Sequence, residues 1–291
     1  MKVPEFSKAR IGFLCEALRP ERITRIVDIG ANPLGEHIYQ RFFNSGFCEI
    51  WGFEPQQSAY DNLIHSARAN QHYLPYAIGS GEMATLKICA GSGFTSLLEP
   101  NVATFEAIKL FRRNSTVIER LPIMTHRLDD IVDLPEFDML KIDIQGGETT
   151  VFQNGNRKLS TAVAVITEVA AIPLYVNQPL LDDQMRALRA LGFDLHKFIF
   201  MKSIMLRSKS SEKLVGQLSR SQLIDGDAVF LRGLLDFPAL NPQQLRHQAI
   251  LADAVYGSYD LVVQILDYLV SINSIPNSVP MRYLEMLTKE G

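Results

Sequence analysis

The sequence predicts an α/β fold, a doubly wound and mostly parallel sheet followed by a C-terminal helical extension, and three observations carry that prediction. From Arg25 to Arg232 short apolar runs alternate with segments of helical periodicity, the order expected when helices cover both faces of a parallel sheet. The run Met139–Ile144 is apolar enough to read as a strand buried on both faces. Acids recur where strands end, at Asp28, Glu54, Asp143 and Glu168. In an open parallel sheet those ends form the ligand crevice, so the four acids are expected to face one cleft.

Taken in order, Ile23–Ile29 reads as the first strand, and residues 33–46 as a helix. Cys48–Phe53 is the second strand, stopped at Glu54-Pro55, and Ser58–Ala69 carries Tyr60, Leu63, Ile64 and Ala67 at helical spacing. Tyr73–Ile78 and Ala84–Cys89 read as strands, Gly91–Gly93 as a flexible loop, Thr104–Phe111 as a helix and Met124–Leu128 as a short strand. After Met139–Ile144 come a helix over Glu148–Leu159, a strand over Val163–Thr167 and a helix over Asp182–Leu191 that stops at Gly192. Phe193–Phe200 and Asp227–Leu231 form a closing pair around the polar segment Arg207–Asp225. The core domain, residues 1–238, ends near Pro238. Residues 239–291 hold three helical segments, Gln243–Tyr256, Ser258–Ser271 and Val279–Lys289, punctuated by Gly257, Pro276 and Pro280. This tail carries no charge constellation that suggests chemistry, so its expected role is packing or homo-oligomerisation.

A chain of 291 residues, 47% hydrophobic and 21% charged, suits one sizeable α/β core with an appendage. Its net charge of -3 provides no general basic surface, which argues against a nucleic-acid substrate. The three cysteines, Cys15, Cys48 and Cys89, are odd in number and widely spaced, as expected of reduced thiols and of neither a disulfide framework nor a zinc site. No leader-like segment and no apolar run of about 20 residues is present, so a cytoplasmic protein without a transmembrane segment is expected.

The first strand ends in Asp28-Ile29-Gly30-Ala31-Asn32. Gly30 and Ala31 are small enough for a ligand to approach the backbone, and Gly35 can relax the following turn. A dinucleotide site would show G-x-G-x-x-G; here an acid stands where pyrophosphate would be repelled but the ammonium and sulfonium charges of S-adenosylmethionine attracted. Against this, Asp28 could simply cap a helix or turn. Glu54, before Pro55, suits bidentate binding of two ribose hydroxyls, the alternative being a surface acid. Lys141 and Asp143 point to one face of their strand and are read as catalytic or, alternatively, as a structural ion pair. Glu168 joins them on its strand-end position, while Glu148 is read as a first-turn acid favoured by the helix dipole. Gly91–Ser96 offers Thr95 and Ser96 as substrate-contacting hydroxyls on a lip, or is an ordinary glycine-rich turn.

The segments DIGAN (28–32), GFEP (52–55), YAIG (76–79), GFTSLLEP (93–100), RLDDI (127–131), LKIDIQGGE (140–148) and TEV (167–169) together resemble the FkbM family of methyltransferases over about residues 23–232. The resemblance implies a class I, Rossmann-like methyltransferase fold, S-adenosylmethionine as cofactor and O-methylation of a hydroxyl on a sugar or natural product. By motif position it gives Asp28, Gly30, Asn32 and Glu54 cofactor-binding roles and sets Ala77 and Ile78 beside the adenine. One departure is that both Pro33 and Leu34 precede Gly35, where the family pattern has a single residue.

Methyl transfer requires an aligned acceptor oxygen that loses its proton as attack develops. Asp143 is the first candidate for that base or for orienting the acceptor, with Lys141 beside it and Glu168 binding acceptor hydroxyls. A divalent metal held by Asp143 and Glu168 ranks second, since no dedicated metal signature is present. A non-catalytic cofactor-binding module in a polysaccharide biosynthesis complex is the rival from another class, and a nucleotide-dependent dehydrogenase is disfavoured by the missing glycine spacing.

Overall fold

The computed structural model describes residues 6–31 and 37–290. Helix α1 (Lys8–Leu18) precedes β1 (Thr24–Ile29), α2 (Gln40–Asn44), β2 (Cys48–Phe53), α3 (Gln57–Ser66) and β3 (Gln71–Leu74). Next come β4 (Ala77–Ile78), β5 (Met83–Cys89), α4 (Val102–Ile108), β6 (Val117–His126), β7 (Met139–Ile142), α5 (Glu148–Gln153), α6 (Asn156–Leu159) and β8 (Ala164–Ala170). The chain finishes with α7 (Leu181–Ala190), β9 (Phe193–Ile204), β10 (Gln222–Arg232), α8 (Pro242–Ala254), α9 (Tyr259–Ser271) and α10 (Val279–Glu290).

Seven strands form one sheet in the order β3-β2-β1-β7-β8-β10-β9, parallel except for β10, which runs against both its neighbours. The apolar strand runs expected of a doubly wound sheet follow from burial on both faces. In β1, Ile26 faces one core and Val27 the other; in β8, Ile166 and Val165 divide in the same way. The second face is covered by Val151 and Phe152 of α5, Leu159 of α6 and Leu188 of α7. The first is covered by α1, α2, α8 and α9, so that residues 239–291 share a continuous apolar core with the sheet through Leu245, Ile250, Ile265 and Leu269. Among the described residues no helix is long and apolar enough to cross a membrane.

Several elements differ from their sequence-based bounds; β9 runs on to Ile204, and β10 starts at Gln222, inside the segment read as a polar connection. The strand expected over Tyr73–Ile78 breaks at Pro75, which has no N–H for a ladder; β4 leaves the main sheet and joins a small second one in the order β4-β6-β5. Strand β6 begins well before Met124, because its polar, largely exposed stretch Glu119–Arg120 and Pro122 hides a strand that pairs along β5. The helix expected over Glu148–Leu159 is broken at Gly155, where a Cβ would lie 2.9 Å from Leu128 and 3.0 Å from the carbonyl of Val151. In the segment 33–46, the described helix is α2 alone. Helix α1 has no counterpart in the sequence-based reading.

Candidate functional site

A cavity of about 350 Å³ lies beyond the C-terminal ends of β1, β2 and β7. Gly30, Glu54, Lys141 and Asp143 line it from the main sheet, Ala77, Ile78 and Leu86 from the small one, and Thr95, Ser96 and Leu97 from the loop between them. The cleft exists because β1 and β7 end side by side. The Asp143 N–H donates to the carbonyl of Ile29 at 3.1 Å, and the N–H groups of Gly30 and Ala31 both donate to the carbonyl of Phe53. Gly30 has φ +85°, and a Cβ there would lie 2.2 Å from the carbonyl oxygen of Asp143. Only glycine fits a left-handed backbone with that neighbour.

Glu54 is 3% exposed, and its Oε1 accepts the N–H of Gln56 at 2.8 Å, leaving the other oxygen without an internal donor among the described residues. Burial pushes its carboxyl up, Gln56 lowers it and Asp28 raises it further. Ala77 and Ile78 supply an apolar wall, with Pro55 completing it beside Glu54.

Asp28 is fully buried and does not line the cavity. Its Oδ2 accepts the Tyr39 hydroxyl at 2.5 Å and lies 3.4 Å from Nδ1 of His37; its Oδ1 has no hydrogen bond, the nearest cation being Lys141 at 3.7 Å. Burial first, then Asp28, pushes the Tyr39 hydroxyl well up, so Tyr39 remains a donor. Ala31 is buried behind the cavity wall. Asn32 and Gly35 lie outside the described residues.

Lys141 bridges the two halves of the site, with Nζ 3.7 Å from Asp28 and 3.8 Å from Asp143. Burial works to lower its pKa, but Asp28, Asp143, Asp227 and Glu168 outweigh it and hold the ammonium charged. Asp143 is fixed from the other side by Gln145, whose Nε2 donates to Asp143 Oδ1 at 2.8 Å and to Glu168 Oε2 at 2.9 Å. Tyr175 donates its hydroxyl to Gln145 Oε1 at 2.9 Å. Gln145 holds this position at φ +59°, a strained conformation for a residue with a side chain, relayed into Gly146 at φ +102°. The residue types Q-G-G therefore encode a tight loop that presents one amide to two carboxylates.

Glu168 stands behind Gln145 and does not line the cavity, so two of the four strand-end acids, Glu54 and Asp143, face it while Asp28 and Glu168 flank it from behind. Burial, reinforced by Asp143, Glu148, Asp225 and Asp227, pushes the Glu168 carboxyl well above its ordinary range. Ser96 is 2% exposed and tied inward, donating to the carbonyl of Gln145 at 2.7 Å and accepting the N–H of Leu98 at 2.9 Å. Thr95 lines the cavity with its hydroxyl accepting the Cys89 N–H at 3.3 Å.

Gln145 and Asp227 also line the cavity, although the sequence does not single them out as site residues. The signal that could have revealed Asp227 is the alternation of Asp225 and Asp227 on one face of an otherwise apolar strand.

Two solved structures are among those to which the chain is similar. The magnesium protoporphyrin IX methyltransferase of Synechocystis with bound S-adenosylmethionine is 11% identical, with 77% of this chain and 76% of that chain covered and a TM-score of 0.35. The precorrin-6y methyltransferase of Geobacter metallireducens is 12% identical, with 76% and 87% covered and a TM-score of 0.36. No curated protein sequence matches the chain. The family model of the methyltransferase FkbM domain matches residues 28–195, which run from Asp28 near the end of β1 through β7 and the loop that follows it to the start of β9. On that match, spanning more than half of its length, the chain belongs to the FkbM methyltransferase family.

Proposed function

We propose that this protein is a cytoplasmic O-methyltransferase that moves the methyl group of S-adenosylmethionine to a hydroxyl of a sugar, a glycan precursor or a natural product. The observation that carries the reading is a single cavity lined both by a buried acid with an apolar wall, Glu54 with Ala77 and Ile78, and by a held carboxylate beside a cation, Asp143 with Lys141.

The donor set fits the cofactor. Glu54 has an oxygen available for ribose hydroxyls, Pro55, Ala77 and Ile78 suit the flat apolar adenine, and the volume falls within the range of small-molecule sites. When bound, S-adenosylmethionine supplies an electrophilic methyl carbon and a cationic head that the acidic lining attracts. The chain itself has to bring an acceptor hydroxyl up to that carbon, exclude water and receive a proton. Asp143 orients the hydroxyl by accepting its hydrogen bond, steadied by Gln145 and Lys141. Lys141 compensates negative charge developing on the acceptor oxygen. Thr95 and Ser96 form the lip under which the acceptor enters, and Glu168, through Gln145, keeps Asp143 from swinging away. Residues 239–291 serve this site indirectly, by closing the sheet face that carries β1 and β7.

Calorimetry with S-adenosylmethionine, followed by a labelled-methyl screen over monosaccharides, nucleotide sugars and polyhydroxylated natural products, tests the reading. Binding and transfer to an oxygen are expected; absence of cofactor binding overturns it. Asp143→Ala is expected to bind the cofactor and lose transfer by about 100-fold or more. Near-normal turnover in that variant would remove Asp143 from the site.

A further inference from the structure

We propose that Asp227, on the reversed strand β10, accepts the proton of the acceptor hydroxyl, leaving Asp143 to hold the acceptor in place. The inference rests on the methyl-transfer reading above and assigns a group that reading leaves open.

Both carboxylates line the same cavity, but their surroundings differ. Asp143 faces donors of the protein itself, Gln145 at 2.8 Å on one oxygen and the Lys141 ammonium 3.8 Å from the other. Its geometry is that of a fixed hydrogen-bond acceptor. Asp227 makes no hydrogen bond and no ion pair within 4 Å among the described residues, so its oxygens are available to a substrate.

The backbone of Asp227 is nonetheless rigid. It pairs with Glu168 of β8 on one side and with Phe200 of β9 on the other. Immediately afterwards the ladder with β9 slips, Ala228 pairing with Phe198, so that β9 carries an extra residue opposite the Asp227–Ala228 step. Such bulges re-aim side chains beside sites. The preceding Gly226 permits the close approach this needs, since a Cβ there would lie 2.3 Å from the carbonyl of Phe200.

The charges around Asp227 suit a base. Burial raises its carboxyl, Asp143 raises it further, Lys141 lowers it and Asp225 raises it, with the result at about 6. Glu168 lies opposite it on β8, and Asp225 on its own strand is ion-paired to Lys202 of β9 at 3.5 Å. A proton acceptor works best when its pKa lies near the operating pH. In the transfer step a carboxylate oxygen of Asp227 takes the hydroxyl proton as the acceptor oxygen bonds to the methyl carbon. The carbon–sulfur bonding pair stays on sulfur, which becomes a neutral thioether, and Asp227 then releases its proton to water.

The test has two arms. In the ligand-free protein labelled with carboxyl-¹³C aspartate, the resonance missing from Asp227→Asn is expected to titrate near pH 6; titration in the ordinary aspartate range overturns the proposal. In turnover on whichever panel acceptor the wild type methylates, Asp227→Asn is expected to lose kcat about 100-fold with cofactor binding and KM within about threefold. The residual rate should lack the fall below pH 6 that the wild type shows. A variant that keeps both the rate and that fall overturns the proposal. Failure of the underlying reading shows instead in the wild type, as absent cofactor binding or absent methyl transfer.

Discussion

Glu148 is 2% exposed at the first turn of α5, where its Oε1 accepts the N–H groups of Ile144 at 3.0 Å and Gly146 at 3.1 Å. Burial outweighs those backbone donors and, with Asp143 nearby, raises the carboxyl to about 7 from an ordinary 4.5. Between those values the unfolded chain gives up the proton and the folded chain keeps it. The folded state therefore loses stability as pH rises from about 4.5 through about 7 and loses no more above that. Glu148→Gln keeps an acceptor oxygen for the two N–H groups and removes the charge. Melting curves from pH 5 to 8 should show the variant gaining on the wild type as pH rises, by roughly 1–3 kcal/mol at the upper end. A constant difference across that range would contradict the assignment. At this scale the sequence exposed some groups and hid others. Glu54 and Asp143 were legible because they follow parallel strands, whose C-terminal ends meet the cleft. Asp227 was not, because β10 is reversed and offers its N-terminal half there, so a search of strand ends passes over it. Nor could the sequence reveal that Asp28 is already engaged, since Tyr39 and His37 reach it from eleven and nine residues downstream in a segment without a readable period.

Among elements, the contact between the ends of β1 and β7 is the junction on which the cleft depends. Gly30→Ala would impose a left-handed backbone on alanine and force the Asp143 carbonyl away from 2.2 Å. The cost is expected at roughly 2–6 kcal/mol, with loss of cofactor binding, read from denaturant midpoints and calorimetry on one preparation. Normal stability would mean that the two strand ends can separate freely. The legible strands are the apolar runs closed by a breaker: Cys48–Phe53 is bounded to the residue, whereas the polar, exposed β6 is not. Short helices were less so. Gly155 splits a segment whose apolar spacing reads as continuous, and Pro75 sends Ala77–Ile78 to another sheet, both decided by neighbours that periodicity does not report. Helix α1 went unread because its amphipathic pattern is weak and its buried polar residue, Arg10, masks the inward face.

At the level of the whole molecule, α1 and the helices after residue 238 are joined through a buried ion pair as well as a shared apolar core. Arg10 donates Nε to Asp253 Oδ2 at 2.6 Å and Nη2 to Oδ1 at 2.9 Å, both side chains are fully buried, and Tyr283 of α10 donates its hydroxyl to the same carboxylate at 2.7 Å. Removing the acid strands a buried guanidinium. Asp253→Ala is expected to cost about 3–5 kcal/mol in equilibrium unfolding, although it lies outside the cleft. A loss below about 1 kcal/mol would show that this layer is not coupled to the core. Strand β10 has a further consequence. Last of the ten strands in the chain, it lies between β8 and β9 in space. A nascent chain that has emerged as far as Ala170 holds β8 with one edge bare, and β9, arriving next, has no neighbour until residues 222–232 follow it out. Closure of the sheet is thus one late event on the ribosome, and the same event delivers Asp227, so a chain arrested before that point is at once sticky and chemically incomplete.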